Sequence, residues 1–179
     1  FEDLVYMSSV LQADCIGRGM EAHRRHRPYC MGTLYWQMND AWPVVSWSAI
    51  DYYGNWKALM YQSQRAFAPI LINAIREDND LCVYLISDEL HDRDDVSMTV
   101  ELMDFDGKAH GKWTQSGMLA ANSSVLFMKK RAGELQGKLS AATSLLHFTL
   151  KAKNGATLAD DVFYFAYPKD QKLPKANIE

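Results

Sequence analysis

The chain has 179 residues, 48% hydrophobic and 23% charged, with five Trp, nine Tyr and seven Phe, a composition that supports a packed core of one large or two small domains and excludes intrinsic disorder. A net charge of −3 provides no field to attract a polyanion or an anionic membrane, so neither nucleic acid nor membrane is an expected partner. No run approaches the roughly 18 apolar residues of a spanning helix, and Phe1-Glu2-Asp3 lacks the basic opening of a signal peptide. Cys15, Cys30 and Cys82 are odd in number, widely spaced and outside any CxxC pair, which points to buried free thiols rather than a disulfide framework or a zinc site.

The sequence opens inside a helical pattern, without Met, as a piece of a longer protein would. Leu4, Met7, Leu11, Cys15, Ile16 and Met20 recur at spacings of three and four, predicting a helix that buries this face. His23-Arg24-Arg25-His26-Arg27 complements the negative end of the helix dipole, and Pro28 blocks continuation, so the helix should end near Arg25. Cys30 to Gln37 is apolar and aromatic without alternation, as in a strand buried on both faces. Asn39-Asp40-Ala41-Trp42-Pro43 begins a long structured loop reaching Gly54. With Asn55 as N-cap and Pro69 as terminator, Trp56, Leu59, Met60, Ser63 and Phe67 line one face of a second helix. Helix, buried strand, loop and helix make an α/β repeat unit rather than a complete domain.

After Arg76-Glu77-Asp78-Asn79-Asp80 the apolar period becomes two: Met98, Val100 and Leu102 alternate with Thr99 and Glu101, and Leu146, Phe148 and Leu150 with His147 and Thr149. Further strands are predicted at 81–87, 108–115, 123–130 and 161–167, separated by turn signals such as Asp106-Gly107 and Asn154-Gly155. Six or seven strands in this span describe an immunoglobulin-like β-sandwich. The expected organisation is an α/β part over 1–72, the sandwich over 77–168 and a linker over 169–179.

Trp36, Trp42, Trp47 and Trp56 fall within 21 residues, interleaved with Tyr35, Tyr52 and Tyr53. Aromatic faces pack against the C–H faces of pyranose rings while amides and carboxylates bond hydroxyls, so Trp36-Gln37-Met38-Asn39-Asp40 has the parts of a sugar pocket; the alternative is that these rings are core. Trp56, on the inner face of its helix, reads as core, whereas Trp36 and Trp42 flank a polar pair at the exit of a buried strand, where active-site residues gather in α/β barrels. Asp40 and Asp51 are the carboxylates of this zone, and for Asp40 at a loop start a structural hydrogen bond is the commoner role. Asp78 to Asp80 and Asp92 to Asp95 lack the Gly and distal Glu of a calcium loop. Asn122-Ser123-Ser124 matches a glycosylation acceptor, a weak signal.

The run from Gly32 to Pro43, followed by Ser46-Trp47-Ser48, Ile50-Asp51-Tyr52 and Gly54-Asn55-Trp56-Lys57-Ala58-Leu59, closely resembles the C-terminal barrel segment of β-mannosidases of glycoside hydrolase family 2. The resemblance implies that residues 1–72 are the end of a (β/α)8 TIM barrel, with its last strand at about 30–37, and that an immunoglobulin-like domain follows. It implies a retaining exo-β-mannosidase as the whole protein, acting on β-mannoside oligosaccharides or glycans through two Glu that precede Phe1, so this chain holds no catalytic residue. Trp36 would line the subsite of the terminal mannose, with Asn39, Asp40 and Trp42 as further substrate-binding candidates. That chemistry requires no cofactor or metal. The partner is then the rest of the same polypeptide, in a periplasmic, extracellular or lysosomal setting. Two alternatives stand beside it: a non-catalytic carbohydrate-binding or assembly module, and a relative acting on β-galactosides, β-glucuronides or glucosaminides.

Overall fold

The computed structural model describes residues 1–175, in two compact units, Phe1–Leu71 and a second beginning at Ile72. In the first unit, α1 (Glu2–Arg25) carries Glu2 and Asp3 in its first turn and Arg24 and Arg25 in its last, each sign matched to its end of the dipole. The helix stops where expected, but it buries a different face. Ala13, Gly17, Met20 and Arg24 are buried, whereas Leu4, Met7 and Leu11 are each more than 60% exposed and Cys15 is exposed. The buried line follows α2 (Ala58–Ala66), not the longest apolar side chains. A Cβ at Gly17 would meet the Gln62 side chain, so glycine there leaves the room that this side chain of α2 occupies.

Ala13 and Met20 join Ala49, Leu59 and Ala66 in a small core, against which Ile16, Tyr35, Ala58 and Met60 pack. The buried Arg24 guanidinium donates from Nη1 to the Ala66 carbonyl at 2.5 Å, placing a cation on the carbonyl end of α2. Asn55 does not cap α2: Lys57 is the N-cap, without a side-chain cap bond, and the Asn55 amide turns to Asp51. Trp56 lies ahead of the helix, 41% exposed, with its ring edge-on to Tyr61 at 5.2 Å.

The predicted strand over 30–37 does not form. Residues 30–37 are irregular, and β-type pairing begins only at the Asn39–Ile50 bridge. A strand exists through its neighbours' hydrogen bonds, and no described segment offers Cys30 to Trp36 a ladder.

In the second unit, which β1 (Ile70–Glu77) enters from Ile72 onward, β1, β2 (Asp80–Ser87) and β5 (Ser123–Arg131) form one sheet in the order β1-β2-β5. β3 (Arg93–Asp104), β4 (Ala109–Leu119), β6 (Ser144–Lys151) and β7 (Thr157–Tyr164) form the other, in the order β4-β3-β6-β7. This is a β-sandwich-like domain with a few helices, among them the short α3 (Ala132–Gln136). β1 lies where the sequence suggested an end of the α/β part. Asp78, at φ 53°, makes the turn into β2 from what read as a boundary.

The core follows the period of two. Met98, Val100 and Leu102 are buried, and their partners across the ladder, Leu150, Phe148 and Leu146, are also buried. β2, the middle strand of its sheet, is buried on both faces through Leu81, Cys82, Val83, Leu85 and Ile86, so it reads as a continuous apolar run. Beyond β7, the Lys172 amide donates to the Ala142 carbonyl at 2.7 Å, so the segment expected to be a linker begins as ordered chain; residues 176–179 of it lie outside the described residues.

Candidate functional site

Residues 37–57 fold as three short passes stitched by backbone bonds. Ala49 N–H donates to the Gln37 carbonyl at 3.0 Å, Ile50 N–H to that of Met38 at 2.8 Å, and Asp40 N–H to that of Ile50 at 3.1 Å. The third pass closes when Lys57 N–H donates to the Ala49 carbonyl at 2.9 Å. Ile50 thus pairs with Asn39 on one side and Trp56 on the other. The peptide between Trp36 and Gln37 is cis.

Asp51 shapes the turn between the last two passes. Its Oδ1 accepts from the Tyr53 and Asn55 amides at 2.9 and 2.8 Å, and its Oδ2 from Asn55 Nδ2 at 2.9 Å. The Asn55 side chain, then its amide, hold the Asp51 carboxyl below its ordinary range.

Asp40 points inward, with its side chain 3% exposed. Ser46 Oγ donates to Oδ1 at 2.5 Å and Ser48 Oγ to Oδ2 at 2.8 Å, while Lys57 Nζ lies 3.3 Å from Oδ2. Lys57 Nζ also donates to Ser48 Oγ at 2.7 Å and to the Ser46 carbonyl at 3.2 Å. Chiefly the Ser46 hydroxyl, helped by Ser48 and Lys57, keeps the carboxyl below the usual carboxylate range against the opposing pull of desolvation. Both oxygens of Asp40 are therefore occupied within the loop.

The tryptophans do the opposite. Trp36 is 76% exposed, Trp42 65% and Trp47 61%. Asn39 is exposed, its Nδ2 donating to the Asp40 carbonyl at 3.2 Å and its own carbonyl accepting from Gln37 Nε2 at 2.9 Å. Gln12 of α1 donates to the Trp47 carbonyl at 2.7 Å, holding the backbone under that ring. Of the four residues singled out in the sequence, three face solvent and Asp40 faces the loop interior. Ser46, Ser48 and Lys57 were not singled out, although Ser46 ahead of Trp47-Ser48 was a readable turn residue, its hydroxyl accepting from the Ser48 amide at 3.1 Å. Among the described residues, no group of three His, Cys, Asp or Glu is placed to hold a metal ion.

Residues 79–170 match the family described as the mannosidase Ig/CBM-like domain. The chain belongs to that family. This mannosidase Ig/CBM-like chain is 33% identical to the β-mannosidase of Mus musculus over 97% of its own length and 19% of the mouse protein's. It is 39% identical to the β-mannosidase of Rattus norvegicus over 57% of its length and 12% of the rat protein's. The crystal structure of a β-D-mannosidase from Dictyoglomus thermophilum superposes with a TM-score of 0.82 at 29% identity, over 94% of this chain and 20% of that one. An exo-chitosanase from Amycolatopsis orientalis, at 22% identity and a TM-score of 0.69 over 91% of this chain and 19% of its own, shares the fold. The chain thus spans about a fifth or less of these relatives' length.

Proposed function

We propose that the chain is part of a retaining exo-β-mannosidase and supplies one wall of the pocket for a terminal β-mannosyl ring. Trp36 and Trp42 stack on the sugar's apolar face, and Asn39 bonds a hydroxyl at its edge. In this reading residues 1–72 are the end of the catalytic barrel and the sandwich follows it. The two carboxylic acids of a double displacement, one forming the glycosyl ester and one exchanging protons, lie elsewhere in the same polypeptide. None of Glu2, Glu21 and Glu77 is assigned that chemistry. The observation that carries the proposal is the outward presentation of Trp36 and Trp42 on a stitched loop, in a chain resembling proteins named β-mannosidases over nearly its whole length. Rings of that size left in water mark a surface that meets a partner or a ligand.

A binding-module reading of the sandwich has less support. Trp113 is half-buried, folded over Gly111 on its own strand, and Phe127 is 9% exposed, so neither belongs to a planar row of open aromatics.

The test is hydrolysis of p-nitrophenyl β-D-mannoside by the full-length polypeptide that contains this chain, with the 179-residue chain assayed beside it. Trp36→Ala is expected to lower kcat/KM by about tenfold or more, the loss of one stacked ring, and the 179-residue chain to be silent. Turnover by that chain, or a full-length protein that prefers galactoside, glucuronide or glucosaminide, would overturn the assignment.

A further inference from the structure

We infer that Lys57 is a positioning residue for this sugar wall, acting through Asp40 to tie off the 41–47 loop so that its tryptophans stand outward. The inference rests on the reading above that Trp42, in this loop, receives a sugar. A lysine at the N-cap of α2 is a poor choice for the helix itself, since a cation there opposes the positive end of the helix dipole and Lys57 makes no cap bond. Its ammonium reaches back instead into the loop, where it meets Asp40 Oδ2, Ser48 Oγ and the Ser46 carbonyl. The Lys57 side chain is 20% exposed and that of Asp40 3%, so the carboxylate is shielded, the ammonium is partly so, and the pair is held by the two serine hydroxyls.

The knot links the residue before the loop, Asp40, to Ser46 near the end of the loop and to the residue after it, Ser48. Trp42 and Trp47 lie between those anchors. Ser46 and Ser48 turn their hydroxyls inward, the Ser48 amide donating to Ser46 Oγ at 3.1 Å, and the bend this makes at Trp47 leaves its ring 61% exposed. A buried pair of this kind contributes little net stability but strongly prefers one arrangement, because separating it leaves an uncompensated charge. That property suits a device for placing rings rather than for holding a fold together.

In the full-length polypeptide, Lys57→Met is expected to raise KM for p-nitrophenyl β-D-mannoside about tenfold, since a displacement of order 1 Å at a positioning element can cost that much or more. The Asp40→Asn, Lys57→Met double variant should be no worse than the poorer single one, because both act through one knot. A purely structural role would reduce the folded fraction and apparent kcat while leaving KM untouched. A wild-type KM for Lys57→Met, or fully additive effects in the double variant, overturns the inference. Should Lys57→Met fail to fold, Ser46→Ala removes one hydroxyl and keeps the ion pair; KM should rise about threefold, and an unchanged value overturns the role equally. Trp42→Ala, which removes a ring of the tied loop itself, separates the two readings. An unchanged KM there removes the sugar contact of the loop, whereas a raised KM there beside a wild-type value for Lys57→Met removes only the role of Lys57.

Discussion

A Cβ on Gly117 would sit 2.8 Å from Cε2 of Phe127, so the ring on β5 rests directly on the backbone of β4, a strand of the other sheet. Phe127 is the extra residue of a bulge, skipped where the β2–β5 register passes from Val83–Met128 to Tyr84–Leu126. Gln115, two residues before Gly117, donates its side-chain amide to the Phe127 carbonyl. One edge of the sandwich is thereby closed by a ring, a missing side chain and a borrowed donor. Gly117→Ala should destabilise the second unit by about 1–3 kcal/mol through overpacking against a ring with little room to turn. Urea unfolding followed by circular dichroism measures it, and a neutral result would mean the two edges are free to separate.

Phe148 is fully buried opposite Val100 at the centre of the four-stranded sheet. Phe148→Ala is expected to cost about 3–5 kcal/mol, the lost transfer of the ring plus the cavity it leaves. Thr149→Ala, at the neighbouring half-buried position, should stay within about 0.5 kcal/mol. The contrast between the two variants in one unfolding series tests the assignment of inner and outer faces.

The turn at Asp51 predicts an acid limb. The folded-state pKa values of Asp40 and Asp51 are lowered, so their contribution to stability is present above the unfolded carboxylate range and is lost as pH falls through the lowered folded values. Thermal unfolding of the first unit should therefore steepen on the acid side, below about pH 4, and Asp51→Asn should flatten that limb. Gly54, at φ 88°, completes the turn; Gly54→Ala should cost about 1 kcal/mol at any pH. An acid limb identical in Asp51→Asn and wild type would show that the carboxylate makes no such contribution.

The thiols divide by burial. Cys82 is fully buried, and burial, with Glu77 nearby, pushes its pKa up, whereas Cys15 is exposed on α1. A thiol reagent applied to the native chain should modify Cys15 promptly and reach Cys82 only after denaturant is added. Peptide mass mapping of the labelled positions reads the difference, and early labelling of Cys82 would show that β2 opens readily.

What the sequence determined by itself was whatever depends on near neighbours in the chain. The alternation at Met98 to Leu102 and Leu146 to Leu150 specified two strands and their inner faces, since a period of two leaves an apolar side chain only one side of a sheet to bury. The cations Arg24 and Arg25, with Pro28 beyond, located the end of α1 for equally local reasons. The tertiary structure decided what depends on distant partners. Leu4, Met7 and Leu11 form an apolar stripe as clear as any in the chain, yet α2 packs on the line through Ala13, Gly17 and Met20, where Gly17 leaves room for the Gln62 side chain of the partner helix. Cys30 to Trp36 has the composition of a strand but, among the described residues, no ladder to join. The tryptophan-rich motif was visible as residues, but not which of them face out. Asp40 turns inward because Lys57, seventeen residues away, and two serines supply its hydrogen bonds, and a buried carboxylate follows its partners rather than its place in the motif.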